Sequence, residues 1–98
     1  MEEIVVRSKQ RPQLIFKHSA SCGISRMVLN GFNSSFDPTW DCDLHFLTIQ
    51  ANRELSNSIA DRFRVRHESP QLLILREGEV SFHTSHGAIV DADIKAHL

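Results

Sequence analysis

The apolar run Leu14-Ile15-Phe16, stopped near Ser19 and followed from Ile24 by apolar residues every three or four positions, constrains this chain more than any other feature. A continuous apolar stretch of that length, within Gln13 to His18, suits a strand buried on both faces. The spacing of Ile24, Met27, Val28, Phe32 and Phe36 marks one helical face, and Asp37-Pro38 closes the helix. Leu44 to Ile49 is short and rich in strand formers, so it reads as a second strand. A helix joins the two strands, which makes them parallel partners in a βαβ unit.

The remaining segments fit around that unit. Glu2 to Ser8 suits one or two helical turns or a frayed strand, and Gln10-Arg11-Pro12 breaks any helix there. Asn52 suits the cap of a helix that lines up Leu55, Ile59, Ala60 and Phe63 and leaves Arg53 and Arg62 for solvent or ligand. Leu72 to Leu75 is a further apolar run. Glu77-Gly78 has tight-hairpin chemistry, and Val80, Phe82 and Thr84 alternate with polar residues as a half-buried antiparallel strand should. Ile94 and Leu98 stand four apart on an expected helix over Asp91 to Leu98. This order predicts an α/β fold, a four-stranded mixed sheet with helices on both faces. Thioredoxin-like folds have this plan.

The chain has 98 residues, which suits one thioredoxin-like domain over 1–98 with a thin core. Hydrophobic residues make up 41% and charged residues 23%, ordinary for a globular chain, and a net charge of -1 gives no global pull toward nucleic acid or membrane. No apolar stretch approaches the roughly 18 to 20 residues needed to span a bilayer, and Met1-Glu2-Glu3-Ile4 lacks the basic and apolar segments of a signal peptide. A cytoplasmic monomer is the expectation. Cys22 and Cys42 are then expected as free thiols. The spacing offers no metal site, because no Cys-x-x-Cys or His-x-x-x-His pair occurs and the histidines are dispersed.

The chemistry converges on Cys22-Gly23-Ile24-Ser25, between the first strand and its helix. A cysteine just before a helix meets the positive end of the helix dipole and unpaired backbone N–H groups, which favour thiolate. Such settings bring a thiol pKa from about 8.5 into a range of roughly 3.5 to 7.5. Free cysteine is often only a small buried hydrophobe, but Ser19, Ala20, Ser21 and Gly23 suit an exposed turn that a disulfide substrate can approach. Ser25 lies one helical turn on, placed to donate a hydrogen bond to a thiolate and unable to resolve a mixed disulfide. Lys17 and His18 alternate to opposite faces, so one of them adds to the site, and His18, Ser21 and Ser25 are its nearer candidates.

Other candidates lie further along. Cys42 precedes the second strand, where the intervening helix carries it toward the opposite end of the sheet. It reads as an incidental loop thiol. Ser69-Pro70 opens the third strand, and a cis bond there would leave the Ser69 backbone free to pair with an extended or thiol-bearing substrate. Most exposed histidines are simply solvated, but His67 and His86 flank segments that should converge on the site edge, which makes them candidate ligands for an anionic group. Arg26 and Arg53 read mainly as solvated helix charges.

Phe16-Lys17-His18-Ser19-x-x-Cys22-x-Ile24-Ser25, Ser56-Asn57-x-Ile59-Ala60, Val65-x-His67-Glu68-Ser69-Pro70-Gln71 and Ser85-His86 together resemble the YtxJ-type monothiol bacilliredoxins, from about Glu3 to Ile94. The resemblance implies a thioredoxin-like fold and a lone thiol that removes bacillithiol from mixed disulfides on protein cysteines. Bacillithiol or a similar low-molecular-weight thiol would be a co-substrate, with no bound cofactor. Cys22 would attack, Ser25 would replace the resolving thiol, and Pro70 would be the cis-proline opposite Cys22. His67, Glu68, Ser69 and His86 match motif positions without an assigned role.

Gly23 departs from the proline usual in that family. Cys-Gly-x-Ser is also similar to the Cys-Gly-Phe-Ser motif of monothiol glutaredoxins, which hold an iron–sulfur cluster with glutathione, but Ser85-His86-Gly87-Ala88 replaces their Gly-Gly-x-Asp loop. A noncatalytic thioredoxin-like interaction domain is the third reading.

Overall fold

The computed structural model describes residues 1–98. Strands β1 (Gln13–His18), β2 (Asp43–Thr48), β3 (Gln71–Arg76) and β4 (Glu79–Ser85) form one sheet in the order β2-β1-β3-β4. β1 and β2 run parallel, and β3 is antiparallel to both β1 and β4. The central strands β1 and β3 are buried on both faces, which is why Leu14-Ile15-Phe16 and Leu72 to Leu75 are continuous apolar runs.

Each face is closed by helices. Leu14, Phe16, Leu72 and Ile74 pack against Val28 and Phe32 of α2 (Gly23–Ser35), Ile89 of α4 (Ala88–Asp91) and Ile94 of a 3-10 turn (Ile94–His97). The Phe16 and Phe32 rings lie 4.9 Å apart at 46°, inside the tilted-pair range of aromatic contacts. On the other face Ile15, Leu73 and Leu75 pack against Ile59 of α3 (Arg53–Phe63) and Val65, with Met1 and Ile4 from the side of α1 (Glu2–Arg7). The hairpin tip takes the left-handed region at Glu77 (φ 55°) and Gly78 (φ 80°), the pair of positive angles that a two-residue type I′ turn demands. Ser8 at the end of α1 holds this tip: its carbonyl accepts the Glu77 N–H at 3.0 Å and its hydroxyl the Gly78 N–H at 2.9 Å.

Three sequence expectations are corrected. The face of α2 is rolled from the one its apolar spacing suggested: Ile24 and Met27 are 66% and 73% exposed, and Ser25, Val28 and Phe32 are buried. Ser25 faces inward because its hydroxyl serves the backbone of the β1–α2 turn. In α3, Leu55 is exposed and Ser56 is buried beside Ile59, where its hydroxyl lies 3.2 Å from His67 Nδ1. The C-terminal helix begins earlier than Asp91 and stops there. Ala92 is extended (φ -69°, ψ 138°) before the 3-10 turn, in which His97 stacks on Phe82 at 3.8 Å between ring centroids.

Candidate active site

Cys22 is the N-cap of α2, with extended backbone (φ -101°, ψ 118°), and its carbonyl accepts the Arg26 N–H at 3.1 Å. Its side chain is partly exposed at the sheet end where β1 finishes. The first N–H groups of a helix lack intrahelical partners and carry the positive end of its dipole, so a sulfur here sits where negative charge is favoured.

The turn leading to Cys22 is held by side chains. Ser25 is fully buried; its Oγ accepts the Ser19 N–H at 3.1 Å and lies 3.0 Å from His18 Nδ1. The Ser25 hydroxyl and His18 Nδ1 share one hydrogen bond, whose direction follows the imidazole tautomer. Ser25 thus bonds to the turn rather than to the Cys22 thiol. From across the sheet Gln50 reaches the same turn. Its Oε1 accepts the Ala20 N–H at 3.1 Å, and its Nε2 donates to Ser19 Oγ at 2.8 Å and to Ser21 Oγ at 3.1 Å. Gln50 is a residue that motif reading missed. The parallel register was the available signal, since His18 opposite Thr48 carries Ala20 level with Gln50.

The Ser69–Pro70 peptide is cis. Lys17 pairs with Gln71, so the register brings Pro70 level with His18, beside the Cys22 turn. The Pro70 carbonyl accepts the backbone N–H of His86 at 2.9 Å, with His86 in the left-handed region (φ 55°) and its side chain exposed. The Ser85 hydroxyl donates to Glu68, which ties the segment before Pro70 to β4. That hydrogen bond, helped by the charges of His86 and Arg66, holds the Glu68 carboxyl below its ordinary range. Ser69 Oγ is buried without a hydrogen-bond partner. Around Gly23 there is open space, with nothing within 4 Å of where a Cβ would stand.

His67 and Lys17 meet on the α3 side of the sheet. Lys17 is fully buried, and its ammonium donates to the Ser56 carbonyl at 3.0 Å and stands 3.3 Å from His67 Nδ1. Ser56 Oγ is 3.2 Å from the same nitrogen. Burial lowers the Lys17 pKa to about 8. Partial desolvation, then the charges of Lys17 and Arg53, lower that of His67.

Cys42 is a buried free thiol immediately before β2. Its carbonyl accepts from Arg11 at 2.9 Å, and burial raises the thiol pKa. Cys22 lies beyond the far end of the adjacent parallel strand. A six-residue strand is about 20 Å long at about 3.3 Å per residue, well beyond disulfide reach.

A parallel βαβ half joined to an antiparallel hairpin, with a thiol at the head of the first crossover helix, is the plan of thioredoxin-fold redox proteins. The chain is similar to a solved structure described as an oxidoreductase with a thioredoxin fold, with 31% identity and a TM-score of 0.82 over 100% of this chain and 88% of that one. It shares the fold of a Malassezia sympodialis thioredoxin at 12% identity (TM-score 0.75; 98% of this chain, 81% of that one). A Schistosoma mansoni thioredoxin matches at 14% identity (TM-score 0.75; 99% and 89%). The family model described as monothiol bacilliredoxin BrxC matches residues 1–94, and the chain belongs to the monothiol bacilliredoxin family. Family and fold support a thiol redox function. No helix is long and apolar enough to cross a membrane.

Proposed function

We propose that this chain removes bacillithiol, or a similar low-molecular-weight thiol, from mixed disulfides on protein cysteines, with Cys22 as the nucleophile. The observation that carries the reading is the placement of Cys22: partly exposed at a helix N-cap, with a serine where a second thiol would stand. The Cys22 thiolate attacks the small-thiol sulfur of the mixed disulfide. A Cys22–small-thiol disulfide forms, the original disulfide breaks, and the protein cysteine leaves as thiolate and takes a proton from water. No net oxidation or reduction of the pair of molecules occurs. A second small-thiol thiolate then attacks the small-thiol sulfur of this adduct, so the Cys22 disulfide breaks, Cys22 leaves as thiolate, and the symmetric small-thiol disulfide forms.

His18, Ser21, Ser25 and Gly23 shape the turn that presents the sulfur. Ser69 and Pro70 supply the neighbouring backbone edge, with His67 and His86 at its flanks. A reducing cytosol and a monomeric state suit this exchange. Intact-mass measurement of the protein after incubation with a bacillithiolated protein tests it: a bacillithiol adduct on Cys22, absent from Cys22→Ser, is the expected result. An unmodified Cys22 with the substrate still bacillithiolated would exclude it. Iron and visible absorbance in anaerobically purified protein would instead mark the cluster-binding alternative.

A further inference from the structure

A fully buried lysine without a carboxylate partner is unusual, because an ammonium moved out of water is normally paired or neutralised. Lys17 meets only a carbonyl, Ser56 O at 3.0 Å, and an imidazole nitrogen, His67 Nδ1 at 3.3 Å. Its register partner Gln71 is buried on the same face, and Gln71 Oε1 has no hydrogen-bond partner. No acidic side chain closes the cluster from β1 or β3. An ammonium has donors only, so when Lys17 is charged His67 Nδ1 must present its lone pair. The ring proton is then on Nε2. The buried residue thereby determines what the exposed edge of His67 offers.

That edge lies in cationic surroundings. Arg53 acts on His67 from α3, and a surface hollow of about 520 Å³ beside the ring is lined by Arg64 and Arg66 together with Asn57 and Asp61. Glu68, the other nearby carboxylate, is occupied by the Ser85 hydroxyl. His67 stands three residues before Pro70, at the sheet end that carries the Cys22 turn.

We infer that Lys17 is a positioning residue that fixes His67 as a neutral Nε2–H donor, and that His67, with Arg64 and Arg66 of the hollow, forms a subsite for a carboxylate on the small-thiol half of the mixed disulfide. This deepens the proposed exchange reaction and rests on it. The buried charge biases the subsite toward anions, and the fixed tautomer gives it a directed donor at the surface.

Two thiols of nearly equal size, differing in carboxylate charge, provide the test: mixed disulfides of one protein cysteine with glutathione and with glutathione diethyl ester. The native chain should remove the glutathione adduct about tenfold faster in kcat/KM, the scale of one charge-assisted hydrogen bond. Lys17→Met and His67→Ala should each erase that preference while still removing the ester adduct. Equal rates in the native chain, or a preference that survives both variants, would overturn the subsite.

A readout without exchange accompanies it. Imidazole ¹⁵N spectra of the native chain near pH 7 should show His67 with a bare Nδ1 and a protonated Nε2, shifted by S-methylglutathione but not by its diethyl ester. Lys17→Met should release the tautomer. If neither adduct is removed, the intact-mass test on a bacillithiolated protein decides the exchange reaction while these spectra decide the subsite; an Nδ1–H tautomer, or no response to S-methylglutathione, rejects it.

Discussion

Ser25 Oγ accepts the Ser19 N–H at 3.1 Å and lies 3.0 Å from His18 Nδ1, so the hydroxyl at the position of a resolving thiol is built into the turn before Cys22. Removing it orphans a buried backbone donor, which costs about 1–3 kcal/mol. Ser25→Ala should therefore lower the unfolding free energy by that amount, read as a lower urea midpoint at an unaltered denaturant slope. An unchanged midpoint would mean that the Ser19 amide has another partner.

Gln50 holds the same turn from the end of β2, through Ala20, Ser19 and Ser21. Its bonds are at the surface, so Gln50→Ala should change global stability by less than about 1 kcal/mol while loosening the turn. Amide hydrogen exchange should speed up at Ala20 but not in the central strands. Unaltered protection of Ala20 would count against the clamp.

Lys17 gives a pH signature of defined sign. Its pKa falls from 10.5 to about 8 on folding, so between those values the unfolded chain holds the proton more tightly and stability rises with pH. Below about pH 8 both states are protonated and the full penalty, on the order of 3 kcal/mol, is present. Lys17→Met lacks this titration. The stability of the variant relative to the native chain should fall by roughly that amount between pH 8 and 10.5, read by urea unfolding at each pH. A constant difference across this window would show that Lys17 titrates alike in both states.

Gly23 occupies the first helical position, where proline is well tolerated. The extended backbone of Cys22 (φ -101°, ψ 118°) is the conformation favoured before proline, and nothing crowds the position. Gly23→Pro should stabilise the fold by about 0.4–1 kcal/mol through the unfolded chain. A lowered melting temperature would contradict this.

Much of this architecture was legible because strand burial and strand register leave strong sequence marks. Leu14 to Phe16, Leu72 to Leu75 and Glu77-Gly78 identified two central strands and the hairpin, and the motif order identified the family. The roll of α2 was not legible. Ile24 and Met27 fit an apolar stripe, but the buried serine that sets the roll acts through backbone partners supplied by another element. Gln50 was hidden for a similar reason, since its role comes from the parallel neighbour strand. Lys17 was read as a choice between faces; its partners Ser56 and His67 are 39 and 50 residues away, beyond any local pattern.

The most direct test of the thiol account is intact-mass analysis of the reduced chain after a single-turnover incubation with a bacillithiolated protein. The native chain and Cys42→Ser should both gain one bacillithiol on Cys22 as the substrate loses it, while Cys22→Ser gains none. Removal that persists in Cys22→Ser, or an adduct located on Cys42, would contradict a monothiol mechanism at the N-cap of α2.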